Sequence, residues 1–219
     1  MASYCLDVAS PRHGGVSRVN LVRMRRTAED WKDYYVARKP KGLHPTYALL
    51  EPHLPSGGRA LELGCGTGHG VLHLVEKGFE VVAVDAHAAG LDSLRADLPC
   101  DARATLIQSR FEDLDVATLG AFDVIVAGFS LFFMNREQFL DFWPKLRGAM
   151  APGCVFMGQI LGPNDTWAHE CAVFDRAEVD GLLEGLDVLH LEEVDRDGET
   201  TTGEAKHWHV FHIVARVPR

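Results

Sequence analysis

The 219-residue chain has no C-x-x-C pair: Cys5, Cys65, Cys100, Cys154 and Cys171 lie far apart. That spacing excludes a zinc-ribbon site and a disulfide scaffold, and it suits a reducing cytoplasm. Long apolar runs are missing as well. None approaches the roughly 20 residues that a membrane helix needs, and residues 1–26 lack the apolar stretch of a secretion signal. A cytoplasmic protein with no membrane partner is expected. Positive charge is scarce, with 22 Lys and Arg against 31 Asp and Glu and a net charge of −9, which disfavours nucleic acid as a partner. Residues 1–26 reverse that balance, with Arg12, Arg18, Arg23, Arg25 and Arg26 against Asp7 alone, and are expected to form a flexible basic arm. There is no internal repeat, and the length provides for one domain with a sizeable core.

Two nucleotide motifs are also absent. The glycines at 64, 66, 68 and 70 never fall in a G-x-G-x-x-G register, because the sixth position is His69, Val71 or His73 according to the start chosen. No Gly-Lys-Ser/Thr follows them, which excludes a phosphate loop. What stands there is Ala60-Leu-Glu-Leu63, an apolar run of strand length. It leads into Gly64-Cys-Gly-Thr-Gly68 and then into Val71, Leu72, Leu74 and Val75 at helical spacing. Strand, glycine turn and helix make a cradle in which a ligand can lie against main-chain N–H groups.

Further along, strands and helices alternate. Strands are expected at Glu80–Asp85, Ala104–Gln108, Phe122–Ala127 and Cys154–Ile160. Helices are expected at Ala88–Leu98, after the cap Asn135-Arg-Glu-Gln138, and after the cap Asp175-Arg-Ala-Glu178. Ala151-Pro-Gly153 reads as the turn into the fifth strand. Asp187–Asp195 and His207–Val217 read as a closing hairpin, turned near Asp197-Gly198. Ahead of the glycine strand, Thr27-Ala-Glu-Asp30 caps a helix with Trp31, Tyr34 and Tyr35 on one face. Thr46 to His53 forms a second short helix. Residues 27–54 are thus an expected helical lid, and 55–219 the main domain.

Glu62-Leu-Gly-Cys-Gly-Thr-Gly68 resembles the first motif of the class I S-adenosylmethionine (SAM) methyltransferases. The loop Asp165-Thr-Trp167 and the ending Lys206-His-Trp-His209 are similar to tellurite-resistance methyltransferases. The resemblance covers about residues 55–217. It implies an α/β, three-layer, Rossmann-like fold with a seven-stranded, mostly parallel sheet and a C-terminal antiparallel hairpin. It also implies SAM as cofactor, S-adenosylhomocysteine as product, and a small-molecule or short-peptide substrate bound by a monomer or homodimer. By the same resemblance Glu62, Gly64, Cys65, Gly66 and Gly68 meet the methionine portion, while Asp85 with Ala86 takes the ribose diol. Arg110 stands where an adenine-binding acid is usual, so that role falls to Glu112, to Asp113 or to the backbone of Phe111. Gly128, Phe129 and Ser130 are expected to line the thioether and the substrate entrance, with Phe133 beside them.

The Asn/Asp-Pro-Pro-Tyr motif of nucleobase methylases is absent after the fourth strand. Substrate contacts are expected from Trp31, Tyr34 and Tyr35 of the lid and from Asn164 and Trp167 of the 161–169 loop. His169, His209 and Asp165 are candidates for proton transfer, with Tyr35 as an orienting group. His207 and His209 share a strand face, but no third residue has metal-ligand spacing, so no metal is assigned. A protein of this fold that binds a ligand or partner without methyl transfer is the alternative.

Overall fold

A computed structural model describes residues 28–219. The basic arm and the Thr27 cap lie outside the described residues. The described residues begin with α1 (Ala28–Arg38) and the short α2 (Tyr47–Leu50) and enter the sheet at β1 (Gly58–Leu63). There follow α3 (His69–Glu76), β2 (Phe79–Asp85), α4 (Ala88–Asp97), β3 (Ala104–Gln108) and β4 (Phe122–Ala127). The second half holds α5 (Arg136–Gly148), β5 (Met150–Leu161), α6 (Arg176–Leu182), β6 (Asp187–Glu199) and β7 (Ala205–Arg216).

The seven strands lie in the order β3-β2-β1-β4-β5-β7-β6, with β7 antiparallel to both of its neighbours and every other pairing parallel. Alternation decides which residues face which layer. Leu61, Leu63, Val82, Val84, Ile125 and Ala127 pack under Phe139, Phe142, Trp143 and Leu146 of α5 and Val179 of α6. Ala60, Val81, Ala83, Val124 and Val126 pack under Tyr47 and Leu50 of α2, Val71 and Leu74 of α3, and Leu91 and Leu94 of α4. The central strands are largely apolar on both faces because both are covered, which is why they read as hydrophobic runs.

Both capping boxes form. Asn135 accepts from the Gln138 N–H at 2.9 Å and Asp175 from the Glu178 N–H at 2.9 Å, each with the reciprocal bond. Two expectations are corrected. The fifth strand begins at Met150 rather than Cys154, because Ala151-Pro-Gly153 lies at a register shift against β4, where a proline is tolerated. The hairpin turns at residues 200–204 instead of Asp197-Gly198. The Thr200 N–H reaches the Glu204 carbonyl at 2.8 Å, and the Gly203 N–H reaches the Thr200 carbonyl at 2.9 Å. Polar Asp197 and Gly198 belong to a strand whose outer side faces water, so polarity alone misplaced the turn.

Candidate active site

The strand order reverses between β1 and β4, and ligands of open α/β sheets bind beyond the carboxyl ends of strands at such a point. The glycine stretch leaves β1 there. The Gly64 and Cys65 N–H groups both donate to the Val84 carbonyl, at 2.8 and 3.1 Å, folding the loop over the end of β2. Gly64 has φ +73, and an added Cβ would stand 2.4 Å from the Ser130 Cβ. Gly68 has φ +84 and would collide with Leu94. These are sites for glycine because both the left-handed backbone and the close approach require it.

Asp85, at the end of β2, is buried and organises the loop. One carboxylate oxygen accepts from the Gly66 N–H at 2.8 Å. The other accepts from the His87 N–H at 2.9 Å and the Tyr35 hydroxyl at 2.9 Å. Beneath the loop Glu62 is also buried, and its Oε2 has no hydrogen-bond partner. Burial pushes its carboxyl up to about 8. The Tyr47 hydroxyl crowds the same spot, since a Cβ on Gly70 would meet both Tyr47 and Glu62.

The adenine-side expectations fall at the edge of this cradle. Arg110 pairs with Glu112 at 2.6 Å in a largely exposed contact, and Phe111 packs toward Gly64. Asp113 follows them in the same short helical turn. The Ala86 carbonyl accepts from Gln108 at 3.3 Å. Cys65 is buried, and burial raises its thiol well above the ordinary range.

Beyond β4, Phe129 is the one non-glycine with positive φ (51°) among the described residues. Its N–H donates at 3.0 Å to Oε1 of buried Gln159 on β5. A bulky side chain in this region is strained by about 1–3 kcal/mol, a cost found mostly at functional sites. Its ring meets those of His44 at 5.0 Å and of Trp208 and His212 at 5.9 Å. Burial holds His44 down at about 4 and lowers His212, so both imidazoles are neutral near pH 7. His44, Gln159 and His212 were missed as site residues because no motif marks them.

Several expected roles are corrected by the contacts. Asp165 is buried and forms an ion pair with Lys206, and it accepts from the N–H groups of Trp167 (2.9 Å) and His209 (3.2 Å). A carboxylate so committed cannot exchange protons with a substrate. His209 is buried too. Its Nδ1 accepts from the Asn164 N–H at 3.1 Å and its Nε2 meets Glu193 at 3.0 Å, which leaves neither nitrogen free. The Asn164 side chain is tied to Asp195 at 2.7 Å. Trp167 is buried against Phe133, Trp208 and Lys206, and Ser130 spends its hydroxyl on the Leu63 carbonyl at 2.7 Å. His169 remains exposed, 3.2 Å from Glu170. Tyr35 keeps its proton, because burial first and Asp85 next push its hydroxyl far above its ordinary value. Trp31 lies against His87 (5.3 Å) and Phe133 (5.1 Å) and edge-on to Tyr34.

The fold is that of the class I SAM-dependent methyltransferases, and residues 60–153 match the family described as Methyltransferase domain. The chain resembles TehB of Haemophilus influenzae, with a TM-score of 0.67 at 16% identity over 85% of this chain and 67% of that one. It is also similar to N-methyltransferase NodS from Bradyrhizobium japonicum WM9, whose structure holds S-adenosylhomocysteine. There the TM-score is 0.63 at 16% identity over 84% of this chain and 88% of that one. In sequence it is 40% identical over 93 residues to the cypemycin N-terminal methyltransferase of a Streptomyces species, covering 42% of this chain and 36% of that protein. The chain spans about half the length, or less, of the curated relatives it matches.

Proposed function

We propose that the protein binds SAM in the Gly64–Gly68 cradle and transfers its methyl group to an O, N or S nucleophile of a small molecule or short peptide. The observation that carries this reading is the pairing of a bare glycine loop, clamped by Asp85, with the partnerless Oε2 of buried Glu62. The residues fit the cofactor. Glycine backbone leaves space beside the methionine portion, Asp85 stands where a carboxylate can receive the ribose diol, and Glu62 offers a buried carboxyl that a ligand ammonium would draw into ionisation. The fold match and the methyltransferase family match support the same reading.

Bound SAM supplies a methyl already activated by its sulfonium. The chain has to hold the acceptor in line with it and keep water away. Phe129, fixed by Gln159, and the rings of Trp31 and Phe133 offer apolar walls whose faces attract positive charge. A carboxylate or thiolate acceptor needs no base. For one that arrives protonated, the neutral imidazoles of His44 and His212 beside Phe129 replace His209 and Asp165 as proton acceptors, with exposed His169 more distant in role. α1 and α2 form the cap of the site. Cytoplasmic residence belongs to the same reading, in keeping with the scattered cysteines of the sequence; no helix among the described residues is long and apolar enough to cross a membrane.

Calorimetry with S-adenosylhomocysteine tests the assignment. The protein should bind it, and Gly66→Val, which fills the space beside the ligand, should abolish binding without unfolding the sheet. Tight NAD binding with no S-adenosylhomocysteine binding overturns the reading. Incubation with labelled SAM and a metabolite extract then identifies the acceptor, and no methylated product across broad extracts leaves a ligand-binding protein of this fold.

A further inference from the structure

The cradle contains a group that competes with the proposed cofactor. A carboxylate has about four acceptor positions. Three of those on Asp85 are filled by the Gly66 N–H, the His87 N–H and the Tyr35 hydroxyl. A ribose diol donates two hydrogen bonds, so one of the three donors has to leave. The two N–H groups belong to the loop and to the start of α4 and cannot withdraw without unfolding them. Tyr35 can withdraw, because it arrives on a separate helix.

Tyr35 also covers the glycine face. A Cβ on Gly66 would stand 3.4 Å from its ring, and a Cβ on Gly90 of α4 would stand 3.2 Å from it. The ring therefore lies across the bare backbone that the methionine and ribose portions would need. α1 meets the rest of the protein mainly through its aromatic face. Tyr35 is its one buried residue among those described, and Trp31 is only partly covered. Trp31 lies against His87 and Phe133, and the next residue, Lys39, makes exposed contacts to Asp97 at 2.8 Å and Ser93 at 2.9 Å. Such surface pairs contribute little. Gly42, with φ +67 and nothing near its Cβ position, follows at the joint to α2.

We propose that Tyr35 is an autoinhibitory latch: its hydroxyl on Asp85 takes the place of a ribose hydroxyl, and the cofactor binds by displacing it and lifting α1. This rests on the reading that Asp85 receives the diol. The latch lowers apparent cofactor affinity by the fraction of molecules in which it is open. It also links cofactor binding to exposure of Trp31 and Phe133, so the cofactor precedes the acceptor.

The test uses the full chain, S-adenosylhomocysteine, and two readouts. By calorimetry, Tyr35→Phe should bind about tenfold more tightly than wild type, the effect of removing one competing hydrogen bond to a charged group. By hydrogen exchange on wild type, which needs no variant, amides of residues 29–38 should exchange faster once the ligand is bound. Equal or weaker binding by Tyr35→Phe, or slower exchange of α1 with ligand, overturns the latch and makes Tyr35 part of a closing lid. If neither protein binds the ligand while circular dichroism shows both folded, the cofactor assignment itself has failed and the latch with it.

Discussion

Replacing Glu62 by glutamine should stabilise the protein and damage its function. Glu62 is buried, and its carboxyl is raised from 4.5 to about 8, chiefly by loss of hydration. Below pH 4.5 both native and unfolded chains hold the proton, and the residue makes no pH-dependent contribution. Between there and about 8 the unfolded chain loses the proton while the native one keeps it. The unfolded state then binds fewer protons, so stability falls as pH rises, by about 1.4 kcal/mol per unit. Near pH 7 the accumulated cost is about 3 kcal/mol, and near pH 5 less than about 1 kcal/mol. Glutamine has nearly the same shape and does not ionise. Urea denaturation of wild type and Glu62→Gln across this range should show the variant more stable by about 3 kcal/mol at neutral pH, the gap closing toward pH 5. A gap that does not change with pH, or a variant less stable near pH 7, refutes the reasoning. The functional side is measured together with it. A ligand ammonium favours the ionised carboxylate, so binding to wild type near pH 7 should release a proton. Calorimetry in buffers of different ionisation enthalpy reads that release, and the variant should lack it.

Two further outcomes are expected. Lys206→Met strands Asp165 without its cation in the interior and should cost about 3–5 kcal/mol in chemical denaturation; Asp165→Leu combined with it should recover part of that loss. In proton NMR titrations His207, held between Asp197 (2.7 Å) and Asp195 (2.6 Å), should titrate above 6.5, and His44 should titrate near 4.

The cradle was legible in the sequence because its requirements are local. Gly64, Gly66 and Gly68 are dictated by left-handed backbone angles within one turn, and Asp85 by its place at the end of an apolar run. The acceptor side was less legible because its chemistry is assembled from residues distant along the chain. His209 and Asp165 have the right side chains for proton transfer. Their availability depends on Lys206, Glu193 and Asn164, and nothing in their spacing reveals that these partners occupy them. Conversely, Gln159 sits unmarked in a strand, yet it holds Phe129 in a strained conformation from thirty positions away.

The same distinction explains Tyr35. Helical spacing put Trp31, Tyr34 and Tyr35 on one face and suggested an aromatic surface closing over a substrate. Spacing cannot say how deep each ring goes. Of the three, only Tyr35 is buried, and it carries its hydroxyl to the carboxylate that the cofactor would use. An aromatic ring alone would lie on the glycines as packing. A phenol adds a hydrogen bond to a charged acceptor that the ligand also needs, which turns a packing contact into a competition. The hydroxyl at position 35 is therefore the group through which the proposed latch acts.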